Sequence, residues 1–385
     1  MLKIFPVRVA AMMAGAILGC GSSLACGGGG GRGAAGAAPL FASGVSWPEA
    51  DRLFHQDPRW MGADGASSID LGGSRSLWLF GDTFVATTAA NLRSQAALPR
   101  NTIAVQDRRD PVTATMRFFW GSDAAGKPTS FFAPDGADTW VWPGGGIRLA
   151  EGPLVLFLSL ERATPGQGLG FASAGWRVVI VDAPDEDPST WKPRYLTPPP
   201  ASFDAVVGSA VVRDGDYVVA LAPDSETHAG HLARFRSADL LAGVVALEWW
   251  AGDAVGWVAP SDLTGTPAAV IPDAGSEAGL RYDDALSSWI HVASRGFGKT
   301  TVAVRTAPSL TGPWTASQDA FTPPESMGPK PFVYAAKLHA ELTTGEPSEQ
   351  VVTYATNSFT FADLLTAEGM TSLYWPRFVR LTVRR

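Results

Sequence analysis

Ala210-Val211-Val212-Arg213-Asp214-Gly215-Asp216-Tyr217-Val218-Val219-Ala220-Leu221 sets two apolar runs on either side of an Asp-Gly pair. That dipeptide suits a tight hairpin turn, because its residues tolerate the positive φ that such turns demand. The same grammar recurs outward along the chain. Ser67–Leu71 and Leu77–Phe80 flank Gly72-Gly73-Ser74, and Ile147–Leu149 and Leu154–Leu158 flank Glu151-Gly152. Leu280–Tyr282 and Trp289–Val292 enclose residues 283–288, and Lys337–Leu342 and Val351–Tyr354 enclose a Thr-Gly-Glu-Pro loop. The five hairpins lie roughly 60 to 80 residues apart, a spacing that signals a structural repeat.

Three of the hairpins continue into a further strand and a loop that carries tryptophan. Val178–Val181 precedes Trp191, Leu232–Phe235 precedes Trp249, and Val302–Arg305 precedes Ser309-Leu310-Thr311-Gly312-Pro313-Trp314. Three strands followed by a loop to an outer fourth describe one blade of a propeller. The chain is therefore expected to be all-β, a five-bladed β-propeller over residues 46–385. A two-sheet sandwich does not explain the regular hairpin spacing.

The N-terminus reads differently. Lys3 and Arg8 precede an uncharged, mostly apolar run that ends at Ile17-Leu18-Gly19-Cys20. An apolar core of about a dozen residues is too short to span a bilayer and matches a secretory signal over residues 1–19. The Gly-Cys junction resembles a bacterial lipobox, with lipid attached at Cys20. The alternative is cleavage near Ala25 and release as a soluble protein. Residues 20–45 are mostly Gly, Ala and Ser and are expected to form a tether. The expected location is the cell envelope, anchored by lipid at the outer membrane or cell surface.

Composition narrows the chemistry. The chain has 42 Gly, 29 Pro and 14 Trp, which suits short strands and many turns. Its two cysteines, Cys20 and Cys26, precede the folded region, so no disulfide is expected inside it. A net charge of −7 with no basic tract argues against nucleic acid. Ala293-Ser294-Arg295-Gly296-Phe297-Gly298-Lys299-Thr300 imitates a phosphate-binding loop, but a strand-like Thr301-Val302-Ala303-Val304 follows where a helix is needed. His228 and His231 lack a third ligand, and the Gly-x-Ser-x-Gly elbow of serine hydrolases is absent. No cofactor is expected, no ligand spacing argues for an axial Ca²⁺, and the protein is expected to be a monomer.

A propeller gathers the starts of its innermost strands around a funnel. Those positions are Asp64, Trp142 with Asp138, Gly208, Glu277, and the strand bearing Lys337, His339 and Glu341. Two carboxylates meeting there could divide the acid and base roles of glycoside hydrolysis, and burial with mutual repulsion would separate their proton affinities. Asp64 lies between glycines, and Asp82 ends the apolar Trp78-Leu79-Phe80-Gly81 run. Trp60, Trp140, Trp142, Trp249, Trp250 and Trp375 fall near turns, where a ring could stack on a sugar or pack between blades.

Trp60-Met61-Gly62-Ala63-Asp64-Gly65-Ala66 and Leu77-Trp78-Leu79-Phe80-Gly81-Asp82-Thr83-Phe84 resemble the opening of a family of secreted bacterial propeller proteins. That family, once catalogued as a domain of unknown function, is related to five-bladed glycosidases. The likeness continues at Arg100-Asn101-Thr102-Ile103-Ala104-Val105-Gln106, His339-Ala340-Glu341-Leu342, Thr353-Tyr354-Ala355-Thr356-Asn357-Ser358 and Pro376-Arg377-Phe378. Some members look to be endo-D-arabinanases with paired aspartates. The resemblance implies Asp64 and Asp82 as catalytic carboxylates, and Asn101, His339, Glu341 and Asn357 as funnel residues beside Trp142 and Glu277. Ala340 stands where relatives carry proline, and Gly144-Gly145-Gly146 where an acidic residue is usual. The expected ligand is a polysaccharide, cleaved or, in a non-catalytic propeller, only bound. A purely structural envelope protein would instead have its funnel plugged by apolar side chains.

Overall fold

The computed structural model describes residues 40–133, 138–150, 152–166, 170–199 and 204–384. The signal segment, Cys20 and Cys26 lie outside these residues, as does the tether up to residue 39. The five hairpins form as read, each the inner half of an antiparallel blade. Blade I contains Ser67–Gly72, Arg75–Phe80, Thr102–Asp107 and Thr115–Phe119. Blade II contains Thr139–Arg148, Leu154–Ala163, Phe171–Val181 and Arg194–Leu196. Blade III contains Ala210–Asp214, Tyr217–Pro223, Gly230–Arg236 and Leu247–Trp250, with Trp257–Val258 added at its edge. Blade IV contains Ala278–Asp283, Ser288–Arg295, Thr301–Ala307 and Gln318–Phe321.

Blade V closes the ring with both ends of the chain. Val333–His339, Glu349–Thr356 and Pro376–Arg384 supply three strands, and Phe41–Ser46 adds the outermost one. It pairs antiparallel to the last strand from Phe41↔Arg384 to Ser46↔Val379. The folded region thus begins several residues earlier than the boundary at 46 read from composition. Small residues such as Ala42, Ser43 and Gly44 match a tether by composition, but the backbone pairing comes from the partner strand and not from their side chains.

Period-2 alternation explains why the blades pack on both faces. In the second strand of blade I, Leu77 and Leu79 join Val141, Leu156 and Leu158 of blade II in one core. Trp78 and Phe80 point the other way, toward Trp375 and Phe378 of blade V. Comparable apolar layers fill the remaining three interfaces. Five inter-blade cores therefore replace a single central one, and the axis is left open. A cavity of about 390 Å³ runs there, lined by the innermost strand of every blade.

The strand directions place the loops. Every innermost strand starts at one rim, the second strand returns to it, and the turn to the third strand lies there too. Asp64, Gly81-Asp82, Glu277, residues 296–300 and Asn357 accordingly share that rim. The stretch imitating a phosphate loop is the turn between Ser288–Arg295 and Thr301–Ala307, with strands on both sides. Among the described residues no helix is long and apolar enough to cross a membrane.

Candidate active site

Asp64, Asp82 and Glu277 converge at this rim with cations and phenols around them. Asp64 leaves the strand Trp60–Ala63, and its carbonyl accepts from the Gly81 N–H at 2.9 Å. A Cβ on Gly81 would overlap Asp64 Oδ1, so only glycine lets the loop bearing Asp82 lie against the Asp64 carboxylate. Tyr334 donates its hydroxyl to Asp64 Oδ2 at 2.6 Å, and Asn357 Nδ2 donates to that phenol at 3.1 Å. Tyr374 also hydrogen-bonds to Asp64.

Both tyrosines are aimed by unusual backbone. A bulge interrupts the pairing of Val333–His339 between Tyr334 and Lys337, with Ala335 at φ 55°. Tyr374 itself has φ 65°. Bulges and positive φ at non-glycine residues redirect side chains and cost free energy, and they concentrate at functional sites. The segment before Tyr374 is held by Arg93, whose buried guanidinium donates to the carbonyls of Met61, Leu364, Gly369 and Leu373. Gly62, at φ 106°, lets the Tyr374 carbonyl approach, since a Cβ there would overlap that oxygen.

Asp82 is buried and engaged at both oxygens. Trp142 Nε1 donates to Oδ1 at 2.8 Å, and Arg100 pairs with Oδ2 at 2.9 Å. The Arg100 guanidinium also lies over the Trp140 ring, 4.3 Å from its centre. Glu277 is partly exposed and pairs with the buried Lys337 ammonium at 3.0 Å. Lys337 donates as well to the Gly65 carbonyl and to Ser67 Oγ, both at 2.8 Å, which ties blades I, IV and V together beneath the carboxylates.

These surroundings set the proton affinities. Burial pushes the Asp64 carboxyl up to about 7, reinforced by the charges of Asp82 and Glu277 and opposed by the tyrosine hydrogen bonds. Asp82 is also raised by burial, with Arg100 opposing the shift. The Tyr334 and Tyr374 phenols are pushed well above their usual range by burial and the adjacent Asp64 charge, so they stay donors. A carboxylate that exchanges its proton near neutrality, beside two others held by cations, can serve acid–base catalysis.

Of the residues expected at the funnel, some are buried within the blades and one, Glu341, lines the axial cavity away from the carboxylates. Asn101 is fully buried, accepting from the Phe132 N–H and donating to the Phe132 and Val141 carbonyls, so it fastens blade I to blade II. His339 is buried under Trp78, bonded to Ser68 Oγ at 2.6 Å and Thr353 Oγ1 at 2.8 Å. Burial and the Lys337 charge lower its affinity for a proton to about 3, leaving it neutral. Glu341 lines the axial cavity near its other end, where burial raises its carboxyl. Gly208 packs on Phe157, and Asp138 is exposed at the start of its strand. Trp60, Trp249 and Trp375 are core residues, and Trp250 meets Trp257 edge to face. Trp142 reaches Asp82 directly, and Asn357 reaches Asp64 through the Tyr334 phenol. Arg100, Tyr334 and Tyr374 were missed, although Arg100 directly precedes a quoted asparagine. Among the described residues no cluster of His, Cys, Asp and Glu could hold a metal ion.

Residues 49–383 match the model of a family described as Domain of unknown function (DUF5005). The chain belongs to that family. No curated protein matched it. Among solved structures, a Bacteroides ovatus ATCC 8483 protein provisionally described as a hydrolase aligns with TM-score 0.68 at 17% identity, covering 89% of this chain and 90% of its own. The exo-β-1,3-galactanase of Phanerochaete chrysosporium aligns at TM-score 0.48 and 15% identity, over 89% of this chain and 63% of its own. The xylan β-1,4-xylosidase of Bacillus halodurans C-125 aligns at 0.46 and 13%, over 85% and 54%. Much of the two longer enzymes has no counterpart in this chain.

Proposed function

We propose that this DUF5005 protein hydrolyses a glycosidic bond in an extracellular polysaccharide. The observation that carries this reading is the convergence of Asp64, Asp82 and Glu277 at one rim, with Asp64 poised to exchange a proton near pH 7. Asp64 and Glu277 take the acid and base roles. One protonates the departing glycosidic oxygen, and the other removes a proton from the water that attacks the anomeric carbon. Asp82 was expected to share the chemistry directly. With Trp142 and Arg100 occupying its oxygens, it acts instead as a fixed negative neighbour that raises the proton affinity of Asp64. The Bacteroides ovatus protein that aligns at TM-score 0.68 is provisionally described as a hydrolase, which supports the class of reaction. An arabinofuranose-containing polymer is the specific candidate, on the strength of the motifs around Asp64 and Asp82. The lipobox-like Ile17-Leu18-Gly19-Cys20 supports an envelope location with lipid at Cys20.

The test is hydrolysis of a panel of arabinans, arabinogalactans, xylans and galactans by the full chain and by Asp64→Asn, Asp82→Asn and Glu277→Gln variants. Cleavage by the wild type, lost by more than about a thousandfold in Asp64→Asn and Glu277→Gln, is the expected result. Binding without cleavage would instead support a non-catalytic glycan receptor, and neither binding nor cleavage would refute the proposal.

A further inference from the structure

Phe297, Phe332 and Phe359 form an aromatic stack that leads away from the carboxylates. Tyr334, the donor to Asp64, lies parallel to Phe332 at 5.0 Å between ring centres. Phe332 lies parallel to Phe359 at 4.4 Å, and Phe297 contacts both, at 5.5 Å and 5.8 Å. Phe332 is only 2% exposed, whereas Phe297 is 40% and Phe359 44% exposed. Isolated apolar residues at a surface are ordinary. This group differs because its rings touch, its outer members open to solvent, and its inner end is the phenol bound to Asp64.

The backbone holds the stack rigid. Phe297 sits in the turn of blade IV between Gly296 and Gly298, the stretch that imitates a phosphate loop. The Gly298 carbonyl accepts from the Val333 N–H at 3.0 Å, fastening that turn to the first residue of blade V's inner strand. The Phe332 carbonyl accepts from the Asn357 N–H at 2.8 Å, fastening the loop that carries Phe359. Three segments from two blades are thus joined around three rings, and little conformational entropy remains to be lost on binding. Opposite this group, Trp140, Trp142 and Phe171 form a second half-buried cluster beside Asp82. Aromatic surface therefore flanks the carboxylates on two sides.

We infer that Phe297 and Phe359 form a distal glycan-binding platform, stacking on sugar units one or more positions beyond the bond held at Asp64. The inference rests on the glycosidase reading for its substrate class. A sugar ring presents C–H groups on one face that pack on an aromatic face, while its hydroxyls remain in water. The occupant follows from continuity, because a chain reaching Asp64 past Tyr334 must cross Phe332 and its exposed neighbours. The substrate is then a polymer bound along an extended cleft, cut at internal bonds.

The experiment compares wild type with Phe297→Ala, Phe359→Ala, the double variant and Phe297→Tyr. Thermal unfolding first confirms that each is folded. On a polymer that the wild type cleaves, the double variant is expected to raise KM by about five- to tenfold or more. The rise on an aryl glycoside of the same sugar should be far smaller, and Phe297→Tyr, which keeps the flat ring, should restore polymer KM. Equal losses on both substrates, or none on either, would overturn the platform and leave the glycosidase standing. Should the wild type cleave nothing, affinity electrophoresis in gels containing each polysaccharide decides separately. Retardation lost in the double variant sustains the platform without catalysis, whereas unaltered or absent retardation refutes it.

Discussion

Asp64→Asn should abolish activity and yet stabilise the protein at alkaline pH. Asp64 binds a proton more tightly when folded, up to about 7, than the ordinary carboxyl of an unfolded chain near 4. Its contribution to stability is therefore fully present below about pH 4 and is lost as pH rises through 7. Three pH units correspond to a ceiling of about 4 kcal/mol. Part of Asp64 reaches solvent, and part of the repulsion belongs jointly to Asp82 and Glu277, so a realistic share is about 2 kcal/mol. Asparagine keeps an acceptor for Tyr334 and carries no charge. Urea unfolding of both proteins at pH 4.5, 6, 7 and 8.5 measures the effect. The variant should gain about 2 kcal/mol over wild type at pH 8.5, and this gain should vanish by pH 4.5. A difference independent of pH, or a variant weaker at pH 8.5, would show that Asp64 does not titrate near neutrality and would remove the basis of its acid–base role.

Three further perturbations probe the frame around it. Lys337→Met leaves Glu277 and the Gly65 carbonyl without their donor, and should cost about 1–3 kcal/mol in urea unfolding and lower kcat more than it raises KM. Gly62→Ala places a Cβ into the Tyr374 carbonyl at φ 106°, and calorimetry should show a loss of about 3 kcal/mol or more. Arg100→Leu removes the cation that opposes proton uptake at Asp82, so the Asp82 carboxyl should protonate at higher pH than in wild type, which infrared titration of the carboxyl band checks.

The blades were legible because their determinants are local. Asp214-Gly215 and Gly72-Gly73-Ser74 mark turns, and alternating residues such as Leu77 and Leu79 mark a buried strand without knowledge of its neighbours. The convergence of Asp64, Trp142 and Glu277 followed from geometry, since strand starts meet wherever blades form a ring, whereas Asp82, which follows the second strand of blade I, was paired with Asp64 by the family resemblance. Asn101, His339 and Glu341 show where such reading stops. Period-2 alternation says that Lys337, His339 and Glu341 share one side of a strand, but not how far along the axis each sits. Lys337 is near the rim, His339 lies beneath Trp78 and Glu341 is deeper still. Tyr374 left no local signature, because its aim depends on a positive φ that Arg93 holds from a distant loop. The edge strand at residues 41–46 was hidden for a related reason, its pairing being supplied by the far end of the chain.

That closing strand also gives the molecule a mechanical polarity. Phe41 pairs with Arg384 at the rim opposite Asp64, so the first strand begins on the far side of the ring. A load applied through a polymer held at the carboxylates, and resisted through the N-terminal segment, would run along the strand axis. The pairs between Phe41–Ser46 and its partner would then be stressed together in shear. Pulling the two termini apart from each other would peel the same pairs one at a time, starting at Phe41 and Arg384. The ring is thus fastened to resist drag on a bound chain far better than it resists separation of its own ends.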